Sequence, residues 1–146
     1  MRIRFYSGGF NTLLIYTPYG TTVDLTRTGR EKQKAIFKNK MKILEIAIKQ
    51  NDEYFIMRDL DIIYSWGIEE MEAFLNENKD YGAVALWPHK GKIEHTNHIS
   101  SSFMMIRMKA VDLFDYVKGC FCNHLCRNMR ARGWKVRYLE GKIIHS

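Results

Sequence analysis

Long apolar runs are missing from this 146-residue chain. None approaches the ~20 consecutive apolar residues that cross a bilayer. The N-terminus also lacks the basic-then-apolar pattern of a secretory signal, so no transmembrane segment is expected and the expected location is cytoplasmic, the host cytoplasm if a virus encodes the chain. Cysteine is scarce: Cys120, Cys122 and Cys126 form a single clump. Without a secretion signal they read as reduced, core-filling thiols. With His124 among them the candidate ligands fall two residues apart, whereas a helix brings together residues three or four apart, so a closed zinc site is not expected. Acids are in short supply too, 16 against 23 Lys and Arg, for a net charge of +7. That balance suits an anionic partner, whether nucleic acid, an anionic membrane surface or a phosphorylated small molecule. The length fits one domain with a well-formed core.

What is present centres on one stretch. Tyr54-Phe55-Ile56-Met57 follows the polar residues 49–53 and predicts a short strand buried on both faces. Arg58, Asp59 and Asp61 stand where it ends. In an extended segment, side chains two apart point the same way, so Asp59 and Asp61 project together while Leu60 turns inward. Open α/β sheets bind ligands beyond the carboxyl ends of their strands, and paired hard oxygens there suit a divalent cation that itself holds phosphates. A solvated acidic turn, with Arg58 neutralising one carboxylate, accounts for the same residues without a ligand.

Upstream, Arg2-Ile3-Arg4-Phe5 and Leu13-Leu14-Ile15-Tyr16 read as two strands with glycine turns. Thr28-Gly29-Arg30-Glu31 has the spacing of a capping box and predicts the start of a long helix. Along it Phe37, Met41, Leu44 and Ile48 form one apolar stripe ending near Gln50. Arg27, Arg30, Lys32 and Lys34 make its first turns basic, which describes either a solvated face or a diphosphate site at a helix start. Downstream, Ile68 to Leu75 predicts a short helix with Glu69 and Glu70 where the helix dipole favours acids. Gly82 to Trp87 predicts a buried strand stopped by Pro88. The polar segment His89 to Ile99, with His89, His95, His98 and Glu94, predicts a long loop suited to binding an acceptor.

Phe103 to Met108 then predicts a strand, Ala110, Val111, Phe114 and Val117 a helix, and Phe121 to Arg132 a second helix ended by Gly133. Trp134 to Leu139 and Lys142 to His145 predict two strands about Glu140-Gly141, read as a closing hairpin. The alternation predicts a single α/β domain with a mostly parallel central sheet flanked by helices.

In this order the elements resemble a compact GT-A glycosyltransferase of the family 2 type. Lys38-Asn39-Lys40 resembles the family's Arg-Asn segment, and Tyr54 to Asp61 its strand ending in an Asp-x-Asp metal motif. Ser102 to Phe114 resembles its strand with an Ile-Arg pair followed by an Ala-x-x-Phe helix. Cys126 to His145 resembles its closing pattern of Arg, Gly-aromatic-Lys-Val, a Tyr strand and a terminal His. The resemblance covers residues 27–146 and implies the nucleotide-diphospho-sugar transferase fold with a reduced N-terminal half. It implies a UDP- or GDP-sugar as donor, a glycan, protein or lipid as acceptor, and Mn2+ or Mg2+ held by Asp61 and His145, with Asp59 near the metal or the ribose. Arg30 and Lys34 would face the leaving diphosphate, with Asn39 on the donor side; Asp24 is the only acid before the long helix available to a base or ribose. A bound cation with basic neighbours stabilises the charge that develops on the departing diphosphate.

Inverting members also carry an acid before the penultimate helix as general base. Here Gly119 to His124 has no carboxylate, so Asp112, Asp115 or Glu94 would have to substitute, or the enzyme retains configuration. Two other classes compete. A basic nucleic-acid-binding or non-catalytic module would use the net charge, but aromatic and basic residues are not interleaved along one surface strand as a single-strand reader requires. A sugar nucleotidyltransferase would use the same carboxylates behind a glycine-rich phosphate loop, of which Ser7-Gly8-Gly9 is a faint echo.

Overall fold

The computed structural model describes the backbone at residues 4–9, 12–16, 29–59, 62–86, 99, 103–139 and 142–145, and side chains at 34, 37–58, 67–86, 99 and 103–139. The strands are β1 (Arg4–Gly9), β2 (Thr12–Tyr16), β3 (Tyr54–Asp59), β4 (Ile62–Trp66), β5 (Tyr81–Leu86), β6 (Phe103–Arg107), β7 (Lys135–Leu139) and β8 (Lys142–His145). The helices are α1 (Gly29–Gln50), α2 (Ile68–Glu77) and α3 (Phe121–Ala131). The main sheet has the order β2-β1-β3-β6-β5-β7, and β4 with β8 forms a separate antiparallel pair.

The alternation of strands and helices yields the expected α/β architecture, but the sheet is mixed. β1 is parallel to β3 and β5 to β7, whereas β2 and β6 run antiparallel to their neighbours. The strands β1, β3, β5 and β7 therefore point one way, with β6 reversed in the middle. A strand covered on both faces is apolar throughout and reads the same in either direction, so its sequence carries no sign of the reversal.

Successive residues of the central strands serve opposite faces. Phe55 and Met57 of β3, Met104 and Ile106 of β6, and Ala83 and Ala85 of β5 pack with Phe37, Ile43 and Leu44 of α1 and with Leu125, Cys126 and Met129 of α3. The alternating set Tyr54, Ile56, Val84, Leu86, Phe103 and Met105 packs under Met71 and Leu75 of α2. Each large side chain so buried contributes about 1.5–3 kcal/mol relative to exposure. On α1 the stripe expected from Phe37, Met41, Leu44 and Ile48 is shifted: Phe37, Ile43, Leu44 and Ala47 are buried together with Lys40, while Met41 and Ile48 are only half-buried. Entry to α2 requires glycine for two reasons. Gly67 has φ +119°, and a Cβ there would stand 2.8 Å from Leu86 Cδ2.

Two expected elements are absent. Ala110, Val111, Phe114 and Val117 do not form a helix; a 3-10 turn, Met108–Ala110, is followed by an extended strap over residues 111–120. The helical spacing misleads because Val117 is 48% exposed and Phe114 is held by aromatic contacts instead, edge-on to Phe37 at 5.7 Å and stacked on Phe121 at 5.6 Å. The closing hairpin is also absent: β7 adds to the main sheet beside β5, and β8 pairs with β4.

Candidate functional site

Helices α1 and α3 run into the strands that follow them, β3 and β7, through short turns at Asn51–Glu53 and Arg132–Trp134. Each helix is thus antiparallel to its strand, and its N-terminus points toward the edge where β3 and β7 end. Gly9, the last residue of β1, and Asp59, the last of β3, lie on that edge, and the parallel register aligns Gly8 with Asp59. Glycine beside Asp59 leaves the backbone open to close approach by a ligand.

From there the chain reaches β4, whose pairing with β8 matches Ile62 with His145. Paired residues in an antiparallel ladder have Cα atoms about 4.5–5.5 Å apart. Ile62 follows Asp59 by three residues, so β4 begins within three peptide spans, about 11 Å, of the last residue of β3. The backbone therefore sets His145 on the side of the molecule where β3 ends. The side chains of Asp59 and His145, and Asp61 itself, lie outside the described residues, as do Asp24, the Thr28 end of the capping box, and residues 87–98 with Glu94. Among the described residues no three His, Cys, Asp or Glu side chains converge as a metal site.

The remaining candidates separate. Arg30 lies in the first turn of α1, its side chain outside the described residues. Lys34 is exposed, with Nζ 5.5 Å above the Tyr116 ring. Asn39 is half-buried, between exposed Lys38 and buried Lys40. Asp112 is committed elsewhere: it pairs with Arg132 at 3.2 Å, near the C-terminus of α3 and far along the sheet from Asp59. In the first turn of α3, His124 Nε2 donates to the Lys118 carbonyl at 3.1 Å and its ring lies 5.9 Å from Phe37, a packing role. All three cysteines are free thiols, and burial pushes the Cys126 thiol up to about 12, too high for a thiolate ligand or nucleophile at neutral pH.

The Ile106-Arg107 pair, which carries part of the family resemblance, is structural in this chain. Arg107 is 5% exposed and spans from β6 to the C-terminal end of α2. Its guanidinium donates to Leu75 O at 2.5 Å, Tyr81 O at 2.9 Å, Asn78 O at 3.3 Å and Tyr54 Oη at 3.3 Å, and lies 5.2 Å from the Tyr54 ring centre. The last carbonyls of a helix lack intrahelical partners and carry the negative end of its dipole, which is why a cation is stable there without solvent.

The fold and this edge define an α/β protein in which helix N-termini and the glycine end of β1 face one side. No family model matches the chain, and no curated protein matches it. Among solved structures it is similar to A197 from STIV, with a TM-score of 0.62 at 14% identity over 85% of this chain and 71% of that one. That likeness extends to the fold.

Proposed function

We propose that the chain is a metal-dependent glycosyltransferase of the GT-A type, taking its sugar from a UDP- or GDP-sugar at the carboxyl edge of β1 and β3. The observation that carries the reading is the Ile62–His145 register, which pairs the last histidine with the residue three after Asp59. Two carboxylates are hard-oxygen donors suited to Mn2+ or Mg2+, and an imidazole beside them favours the transition metal, Mn2+. Such an ion, when bound, stabilises the negative charge that develops on the leaving diphosphate. The chain's own contribution is to hold the diphosphate at the basic start of α1, where free N–H groups and Arg30 favour an anion, and to let it approach β1 at Gly8 and Gly9. A sheet built this way is where α/β proteins hold phosphorylated ligands.

Titration calorimetry with UDP and GDP, with and without Mn2+, tests this. Nucleotide affinity should require Mn2+ in the wild type. Asp61→Ala and His145→Ala should each remove that requirement together with the binding, at unchanged circular dichroism. Nucleotide binding indifferent to both substitutions sinks the reading, as does tight RNA binding that collapses with salt while ignoring Asp61.

A further inference from the structure

The large hydrophobic side chains exposed among the described residues all fall on the strap between β6 and α3: Leu113 is 51%, Tyr116 43% and Val117 48% exposed. Exposed apolar residues scattered singly need no explanation, but three within five positions form a ridge. The ridge has a firm base. Phe37 is fully buried beneath it and meets Tyr116 edge-on at 5.0 Å and Phe114 at 5.7 Å. Tyr116 is therefore propped outward by a packed aromatic cluster.

The surroundings of the ridge are cationic. Lys34 lies over the Tyr116 ring, Lys38 is one helical turn along α1 on the same face, and Lys118 closes the strap; all three are exposed. Among the described residues the acids of the strap are Asp115, which is exposed, and Asp112, whose charge is taken up by Arg132 at 3.2 Å. Aliphatic side chains beside a tyrosine, with long lysine stems around them, match a bilayer interface in both chemistry and depth: apolar tips enter the headgroup boundary and ammonium groups stay at phosphate level. The net charge of +7 acts in the same direction. The strap's backbone lacks regular pairing, which fixes the depth at the wet headgroup zone and not in hydrocarbon.

We infer that the strap 111–120, with Lys34 and Lys38 of α1, is a docking surface for an anionic lipid bilayer, engaged through Leu113, Tyr116 and Val117. Lys34 and Lys118 lie near the N-terminal ends of α1 and α3, so docking would turn the carboxyl edge of the sheet toward the membrane. The inference does not depend on the transferase reading, because vesicle binding is measured without nucleotide or metal.

The test is flotation of the whole chain with vesicles of phosphatidylcholine, against vesicles in which a third of the lipid is phosphatidylglycerol. The wild type should float with the second kind and stay behind with the first. Lys34→Gln with Lys118→Gln should weaken binding by about five-fold per lysine removed. Leu113→Ser with Val117→Ser should release at moderate salt the fraction that the wild type retains. Both pairs are exposed, so an unchanged urea midpoint confirms that the variants fold. Failure of the wild type to bind phosphatidylglycerol overturns the inference. So does binding that both variants keep, or a wild-type dimer in sedimentation that Leu113→Ser with Val117→Ser turns into a monomer, which would make the ridge a contact between copies of the chain.

Discussion

Replacing Arg107 with methionine should cost stability and leave nucleotide affinity alone. Methionine fills the channel occupied by the aliphatic stem but donates nothing. Asn78 O keeps its bond from the Tyr81 amide at 3.1 Å, and Tyr54 Oη keeps its bond to Asn76 Oδ1 at 2.7 Å. Leu75 O and Tyr81 O lose the side-chain donor they share. An unsatisfied buried acceptor costs about 1–3 kcal/mol, and the lost charge at the end of α2 adds about 0.3–1 kcal/mol. With two such acceptors the sum, about 2–7 kcal/mol, is a large part of the 5–15 kcal/mol typical of a domain. Arg107→Lys retains charge but cannot span several carbonyls at once, so it should lose about half as much. Urea unfolding measures both variants, with the slope compared to separate native from denatured-state effects. A methionine variant within about 1 kcal/mol of the wild type at unchanged slope refutes the account. A lysine variant as damaging as methionine would show that geometry, and not charge, is what α2 requires.

Gly67→Ala should lower the melting temperature, through about 1–3 kcal/mol of backbone strain plus the contact of its new Cβ with Leu86. Adding Leu86→Ala should leave the strain at φ +119° while removing the clash, and a double variant as unstable as the sum of both singles would deny the contact. Cys126 should resist iodoacetamide in the folded protein while Cys120 and Cys122 react. Because burial holds the folded pKa at about 12 against an ordinary value of 9.0, its contribution to stability is complete below pH 9 and is lost as pH rises from there toward 12. A flat stability profile over that range in a Cys120→Ser, Cys122→Ser background contradicts it.

Much of this fold was legible because burial on both faces and helical spacing are written in residue type. The apolar blocks 54–57, 83–86 and 103–106 became central strands, and α1 follows its stripe, displaced by a residue. Direction and partnership were not legible. Nothing local distinguishes β6 running against its neighbours from β6 running with them, and the choice of β8 to leave β7 and join β4 depends on where the chain has been brought by everything before it. The strap fails for a different reason. Its apolar residues fall at helical intervals, but the side chains that reach inward meet Phe37 of α1 and Phe121 of α3, and those contacts override the period. At the site, the sequence singled out Asp59, Asp61 and His145, while the register that pairs His145 with Ile62 is a property of β4, a strand hidden behind the more conspicuous β3.

The opposite edge of the sheet supplies a control for the proposed function. A cavity of about 580 Å3 opens where β3 begins, lined by Ile48, Asn51, Asp52, Glu53, Lys79 and Arg107 among others. Its size would admit a nucleotide, yet its electrostatics argue against one. The C-terminus of α1 ends there, presenting carbonyls and the negative pole of a 22-residue helix, and Asp52 and Glu53 add carboxylates. Its three cations are Arg107, already occupied by carbonyls, and Lys79 and Lys109, both exposed. A diphosphate at that edge would face the negative pole of α1 and two carboxylates, where the other edge offers helix N-termini. Lys79→Glu should therefore leave UDP and GDP affinity within about two-fold of wild type, whereas Arg30→Ala should lose a charge-assisted bond worth about 1.5–3 kcal/mol, or about 10- to 100-fold in Kd. Calorimetry on the two variants decides between the edges, and an affinity that follows Lys79 in place of Arg30 would move the ligand to the wrong end of the sheet for Asp59, Asp61 and His145 to act on it.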